Sequence, residues 1–305
     1  MGDLQVKEIL VTGANGFIGA HLIAELLRHG AHVTGIVRPT SDCWRFDALG
    51  ISPKCLVCDL ADQTRLEQLL GTLDFDVVFH LAAERDHQKL MQAEAEGRHA
   101  CAGDNVMRAV ASAPRLARFV SLGSSLEVPD RETNQPVGPH GKSKFLELQA
   151  MRALASTLDI PFSPTRTHYV YGPLQTQTKL VPVAIRAAQT GEPISLTGPD
   201  IRKRYVYVLD VVAALLHVLD QSPQTDEVQL ITSAQQVSNL DGVRHISDLT
   251  RKPLDIAMQD FAARDFDRGD WTLSGAGTPL AGWHAKTPLV DGLRACLDWE
   301  TAARV

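Results

Sequence analysis

Ile9-Leu10-Val11-Thr12-Gly13-Ala14-Asn15-Gly16-Phe17-Ile18-Gly19 joins a short β-branched run to a loop punctuated by three glycines, and the loop passes straight into a helical pattern. From Ile18 to Arg28, Leu22, Ile23, Leu26 and Leu27 share one helical face, and Gly30 supplies a stop. Glycines in such a loop permit a tight turn and close packing of helix on strand. They also let a pyrophosphate approach amide N–H groups at the positive end of the helix. A glycine triplet alone carries little information; between an opening strand and an amphipathic helix it reads as a dinucleotide-binding loop.

The alternation continues outward. Apolar runs at His32 to Val37, Cys55 to Cys58, Asp76 to Leu81, Arg118 to Leu122 and Pro161 to Arg166 are separated by helical periodicity. This pattern predicts parallel strands joined by crossover helices: an α/β fold built on a doubly wound parallel (Rossmann) sheet. After Tyr171-Gly172-Pro173 the regularity loosens. Val181 to Gln189 and Val211 to Leu219 read as helices, and Val228 to Ile231 as one more strand. The expected division is a dinucleotide-binding domain over residues 1–172, also receiving the strand near 228–233, and a smaller, discontinuous C-terminal lobe over 173–305.

Composition excludes several classes. The 305 residues are 44% hydrophobic and 22% charged, with 22 glycines and 16 prolines, which fits neither a collagen-like nor a disordered chain. A net charge of −6 gives no reason to expect nucleic acid or an anionic membrane as partner, so a bound anion needs a local device. No apolar run approaches the ~18 residues of a membrane span. The start, Met1 to Val6, shows no basic-then-apolar signal region. The five cysteines, at 43, 55, 58, 101 and 296, lack the density of a disulfide scaffold, so a reducing cytoplasm is expected. Cys55 and Cys58 stand three apart in a strand and point to opposite faces, which argues against a joint role.

With GxxGxxG spacing at Gly13, Gly16 and Gly19, the sequence resembles the extended short-chain dehydrogenase/reductase family, whose members modify nucleotide sugars. Further motifs carry the resemblance along nearly the whole chain. Cys58-Asp59-Leu60 is similar to the family's adenine-contacting step, and His80-Leu81-Ala82-Ala83 to its strand end beside the cofactor. Arg166-Thr167-His168-Tyr169-Val170-Tyr171-Gly172-Pro173 resembles "RxxNVYGP", and the segment from Arg204 to Val211 resembles "RDFxxVxDV". Gly282 to Trp299 is similar to the closing "GWxPKTSL" segment. The resemblance implies cofactor contacts from Gly13, Asn15, Gly16, Phe17, Ile18, Gly19, Asp59, Leu60, Leu81, Ala82, Ala83, Lys144, Thr167 and His168. An acidic residue at the end of the second strand would bind the adenosine ribose of NAD, but here Val37 is followed by Arg38. A guanidinium matches a phosphate, so NADP(H) is expected over NAD.

In this family a Ser and a Tyr-x-x-x-Lys carry the chemistry. Ser125 aligns with the serine. Pro139-His140-Gly141-Lys142-Ser143-Lys144 keeps the helix motif, with His140 in place of the tyrosine. Spacing of four puts residues 140 and 144 on one helical face. Three readings stand: His140 is the acid; Glu127 or Lys144, or a water, relays the proton; or the chain binds dinucleotide as a regulatory protein and turns nothing over. Glu127 falls where 4,6-dehydratases of the family place a base, but Leu126 interrupts the usual step. His99 stands six residues before Asn105, where the family has an asparagine beside the site. The 15 residues from Ser125 to His140 resemble the compact 4-keto-6-deoxysugar reductases.

On the substrate side the resemblance assigns Ser124, Tyr169, Lys179 and Arg204, with Arg204 on a diphosphate. The expected function is reduction at C4 of a nucleoside-diphosphate 4-keto-6-deoxyhexose. The alternative is an epimerase or dehydratase that recycles a tightly held cofactor. The C-terminal lobe would mainly bind substrate, no metal is implied, and family analogy implies a homodimer.

Overall fold

The computed structural model describes residues 4–84, 86–95, 102–130, 133–258 and 277–302. The first half alternates β1 (Glu8–Thr12), α1 (Phe17–Arg28), β2 (His32–Val37), α2 (Trp44–Ala48), β3 (Lys54–Val57), α3 (Gln63–Leu70), β4 (Val77–His80), α4 (His87–Ala95), α5 (Ala102–Val110), β5 (Arg118–Ser124), α6 (Gly138–Thr157) and β6 (Phe162–Thr167). Then follow β7 (Tyr169–Tyr171), α7 (Leu180–Thr190), β8 (Ile194–Leu196), β9 (Arg202–Tyr207), α8 (Val208–His217), β10 (Gln229–Ile231), β11 (Gln236–Ser238), α9 (Asn239–Thr250), β12 (Ile256–Met258), β13 (Thr278–Pro279) and α10 (Leu289–Ala302).

Eight strands form a parallel sheet in the order β13-β10-β6-β5-β4-β1-β2-β3. From β1 the chain runs out to β3, returns to the far side of β1 and continues through β4, β5 and β6. That reversal opens a crevice at the carboxyl ends of β1 and β4, the usual ligand position in open α/β sheets. Side-chain alternation sends Ile9 and Val11 to one face and Leu10 to the other. The first face packs on Leu22, Ile23 and Leu26 of α1 and on Val211 and Leu215 of α8. The second packs on Leu66 of α3, Val106 and Met107 of α5, and Leu148 and Met151 of α6. Each of these fully buried side chains contributes about 1.5–3 kcal/mol.

Every strand expected from periodicity is present, within two residues of its expected ends. Cys55 and Cys58 fall in the cores on opposite faces of the sheet, both as free thiols, with burial pushing each thiol pKa up. Beyond Pro173 the structure is richer than one expected strand. A three-stranded sheet, β11-β9-β7, and a two-stranded one, β12-β8, frame a separate core around Tyr171, Ile185, Tyr205, Val243 and Leu293. Most of these strands have only three residues, too few to show a period. The return to the large sheet also involves more than β10, because α8 packs on α1 and β13 pairs with β10.

Candidate active site

The glycine loop is as tight as its spacing implied. Gly13 has φ +66°, and a Cβ there would sit 2.8 Å from the Ala82 amide nitrogen. A Cβ on Gly19 would collide with the Gly13 carbonyl, so α1 packs against the loop with no side chain between them. Gly16 caps α1 without a side-chain bond, leaving the first-turn N–H groups available to an anion. Around this loop lies a cleft of ≈ 660 Å³. Its walls bring together Gly13, Asn15, Gly16, Phe17, Ile18, Gly19, Arg38, Asp59, Leu60, Leu81, Ala82, Ala83 and Lys144. The uncapped start of α1 and the side-chain-free loop fit the pyrophosphate of a dinucleotide.

Thr167 and His168 are the exceptions among the expected cofactor residues, since both line the neighbouring cavity instead. They stand at the end of β6, two strands beyond β4, on the wall of that cavity. Asn105 lines neither space; its side-chain amide holds the Leu60 carbonyl at 2.9 Å. His99 and Cys101 lie outside the described residues. Sequence reasoning missed Arg45 of α2. Its Nε donates to the Leu174 carbonyl at 2.9 Å and its Nη1 to that of Asn15 at 3.3 Å, tying the glycine loop to the segment after β7.

The neighbouring cavity, ≈ 760 Å³, is lined by Ser124, Ser125, Tyr169 and Lys179 as expected. His140 and Lys144 line both spaces, so the α6 motif forms their shared wall. The His140 Nδ1 lies 3.3 Å from the Glu84 carbonyl oxygen. Burial pushes the Tyr169 phenol up to about 12, so it stays protonated near neutral pH.

Arg204 does not reach this cavity. Its Nη1 donates to the carbonyls of Ser233 (2.9 Å) and Ala234, while Lys203, one residue earlier, is on the wall. The reason is strand alternation. Lys203 lies on the Tyr205 side of β9, where its Nζ sits 4.9 Å from the Tyr169 ring centre and Tyr169 packs on Tyr205. A one-residue offset moves the guanidinium to the other face.

Glu127 is also displaced from its expected role. Only 1% exposed, it lines neither space. It accepts from Arg166 Nε at 2.7 Å and from the Ser124 amide at 3.2 Å, in a 3-10 turn that Ser124 itself caps. Burial pushes its carboxyl above the ordinary range, and the Arg166 guanidinium pulls against that. Glu147, unmarked by sequence reasoning, lines the cofactor cleft. It accepts from Lys144 Nζ at 2.8 Å and the Gly103 amide at 3.1 Å, and lies 3.2 Å from His80 Nε2. Burial alone would raise its pKa, but the Lys144 ammonium and His80 hold it well below the usual carboxylate range. A carboxylate on the buried face of α6, three residues after the motif lysine, was the available signal.

The family model for the NAD-dependent epimerase/dehydratase family matches residues 9–230, and the chain belongs to that family, within the extended short-chain dehydrogenases/reductases. A trifunctional UDP-glucose 4,6-dehydratase/UDP-4-keto-6-deoxy-D-glucose 3,5-epimerase/UDP-4-keto-L-rhamnose-reductase of Arabidopsis thaliana is 27% identical across 97% of this chain and 47% of its own length. The chain thus spans about half the length of that relative and of two similar ones from the same plant. Among solved structures, a UDP-glucose 4-epimerase of Thermotoga maritima superposes with TM-score 0.83 at 19% identity, covering 98% of this chain and all of the other, a likeness of fold. MoeE5 in complex with UDP-glucuronic acid and NAD superposes with TM-score 0.78 at 26% identity, covering 97% and 99%.

Proposed function

We propose that this chain is an NADP(H)-dependent oxidoreductase that reduces the C4 ketone of a nucleoside-diphosphate 4-keto-6-deoxyhexose. The observation that carries the reading is the lining of the larger cavity. Among the described residues it holds three cations, Lys144, Lys179 and Lys203, and no carboxylate. Lys179 and Lys203 suit a diphosphate, while Lys144 is already paired with Glu147. Glu127, which falls where the family's dehydratases place a base for the C5 proton, is held out of this space by Arg166, and that disfavours a dehydratase.

NADPH, when bound in the cleft, would supply a hydride to the carbonyl carbon. The Ser125 hydroxyl would donate to the carbonyl oxygen, Lys144 would hold the nicotinamide ribose, and His140 would deliver the proton that completes the alcohol. Ketone, hydride and proton together balance the product. Arg38, exposed at the end of β2 on the wall of the cofactor cleft, supports NADP(H). NAD in the MoeE5 complex supports the alternative cofactor.

The test follows NADPH absorbance with a panel of keto-sugar nucleotides, beside dissociation constants for NADPH and NADH. Stoichiometric oxidation is expected. Turnover with no net oxidation would replace this reading with a recycling epimerase, an activity of the family's solved structures, and tighter NADH binding would overturn the cofactor assignment. Lys203→Met should raise KM about tenfold, a loss of ~1.4 kcal/mol, while Arg204→Met leaves KM within about twofold.

A further inference from the structure

One buried chain of contacts runs beneath the cofactor cleft. Thr12 Oγ1 lies 2.8 Å from His80 Nδ1, His80 Nε2 lies 3.2 Å from Glu147, and Glu147 binds the Lys144 ammonium at 2.8 Å. The His80 tautomer protonated at Nε2 satisfies both of its contacts, with the Thr12 hydroxyl donating to Nδ1. The ammonium also donates to the Ala82 carbonyl at 3.1 Å. Glu147 is 3% exposed. A lone carboxylate enclosed to that degree is strongly disfavoured, and Lys144 is the ammonium that offsets its charge.

The consequence falls on His140, four residues before Lys144 on the same face of α6 and on the wall of both spaces. A phenol at this position would benefit from an uncompensated neighbouring cation, which favours phenolate. An imidazole has the opposite need, because a bare ammonium one turn away disfavours its protonated form. A lysine paired with a carboxylate presents a dipole in place of a full charge. We propose that Glu147 is a positioning residue that fixes Lys144 and cancels its charge, so that His140 can hold a proton next to the nicotinamide ribose site. The inference rests on His140 being the proton donor.

Other charged groups face the same region. The Glu84 carboxylate lies 3.7 Å from Arg38, Lys89 of α4 lines the cofactor cleft, His168 lines the larger cavity, and the Glu127–Arg166 pair lies behind the 3-10 turn. None of them is altered in the variants below, so differences from the parent chain isolate the Lys144–Glu147 pair.

The test is an NMR titration of the His140 imidazole in the full chain with saturating NADP+, assigned by loss of the signal in His140→Phe. Glu147→Gln should lower the His140 midpoint by about one pH unit. The double change Lys144→Met with Glu147→Leu should leave it within about 0.3 unit, since both charges go together. Where Glu147→Gln does not fold, Glu147→Asp, with its shorter reach to Lys144, should lower the midpoint in the same direction. A midpoint that stays put in the single variant, or falls equally in the double change, overturns the proposal. Turnover gives a second readout: Glu147→Gln should slow the parent about tenfold at pH 7.5 but speed a His140→Tyr background, and slowing in both would also overturn it. The titration needs no substrate. Failure of every keto-sugar nucleotide would sink the reductase reading alone, and a midpoint indifferent to both charges would sink this one alone.

Discussion

Glu127 and Glu147 are both enclosed carboxylates within the field of the Lys144 ammonium, yet the protein treats them in opposite ways. Glu127 sits in a turn behind the larger cavity, against Arg166, with burial winning and its pKa raised. Glu147 lies on α6 against the cofactor cleft, where Lys144, His80 and the Gly103 amide together overcome burial. Enclosure alone therefore does not set ionisation; the donors gathered on the carboxylate do. The contrast also separates roles. The Arg166 pair fastens β6 to the turn after β5, whereas the Lys144 pair ends on a residue shared by both spaces.

The largest effect expected from this contrast comes from deleting either cation. Lys144→Met and Arg166→Met should each cost ~3–5 kcal/mol in urea unfolding, because each strands a buried carboxylate. Only Lys144→Met should also cut turnover by ~100-fold or more in folded protein. Loss of turnover to the same degree in folded Arg166→Met would erase the distinction. Next in size is Gly123→Ala, whose Cβ would lie 2.5 Å from the Glu127 carboxylate. A loss of ~1–3 kcal/mol is expected, with the NADPH dissociation constant unchanged within about twofold.

The smallest effect is a pair of opposed pH slopes, measured as denaturation free energies of the parent minus each Gln variant between pH 4 and 7. Glu147 has a depressed pKa, so its contribution is present above the unfolded carboxylate range and fades as pH falls through about 4.5. Glu127 has a raised pKa, so the parent gains relative to Glu127→Gln as pH falls from neutrality. Each slope is bounded by ~1.4 kcal/mol per pH unit. Slopes of the same sign would refute the assignment of opposite shifts.

The helix motif was legible because its residues are four apart and its flanking glycine and serine keep their spacing. The glycine loop was legible because backbone geometry there tolerates nothing else. The placement of Lys203 rather than Arg204 on the cavity wall was not legible, because one residue of register changes the face of a strand and sequence alone cannot say which face meets the cavity. The confinement of Glu127 was not legible, because the Arg166 that pairs with it lies 39 residues away.

By itself, then, the sequence determined the elements whose cause is local: the parallel strands from alternating apolar runs, the turn that only glycine can make, and the helical face that joins His140 to Lys144. Tertiary structure decided what depends on distant partners. It placed Lys203 in the cavity and Arg204 outside it, shut Glu127 away, and set Glu147 between Lys144 and His80. The physical reason is that the state of a charge depends on burial and on donors brought from other parts of the chain, and neither is written in the spacing of neighbouring residues.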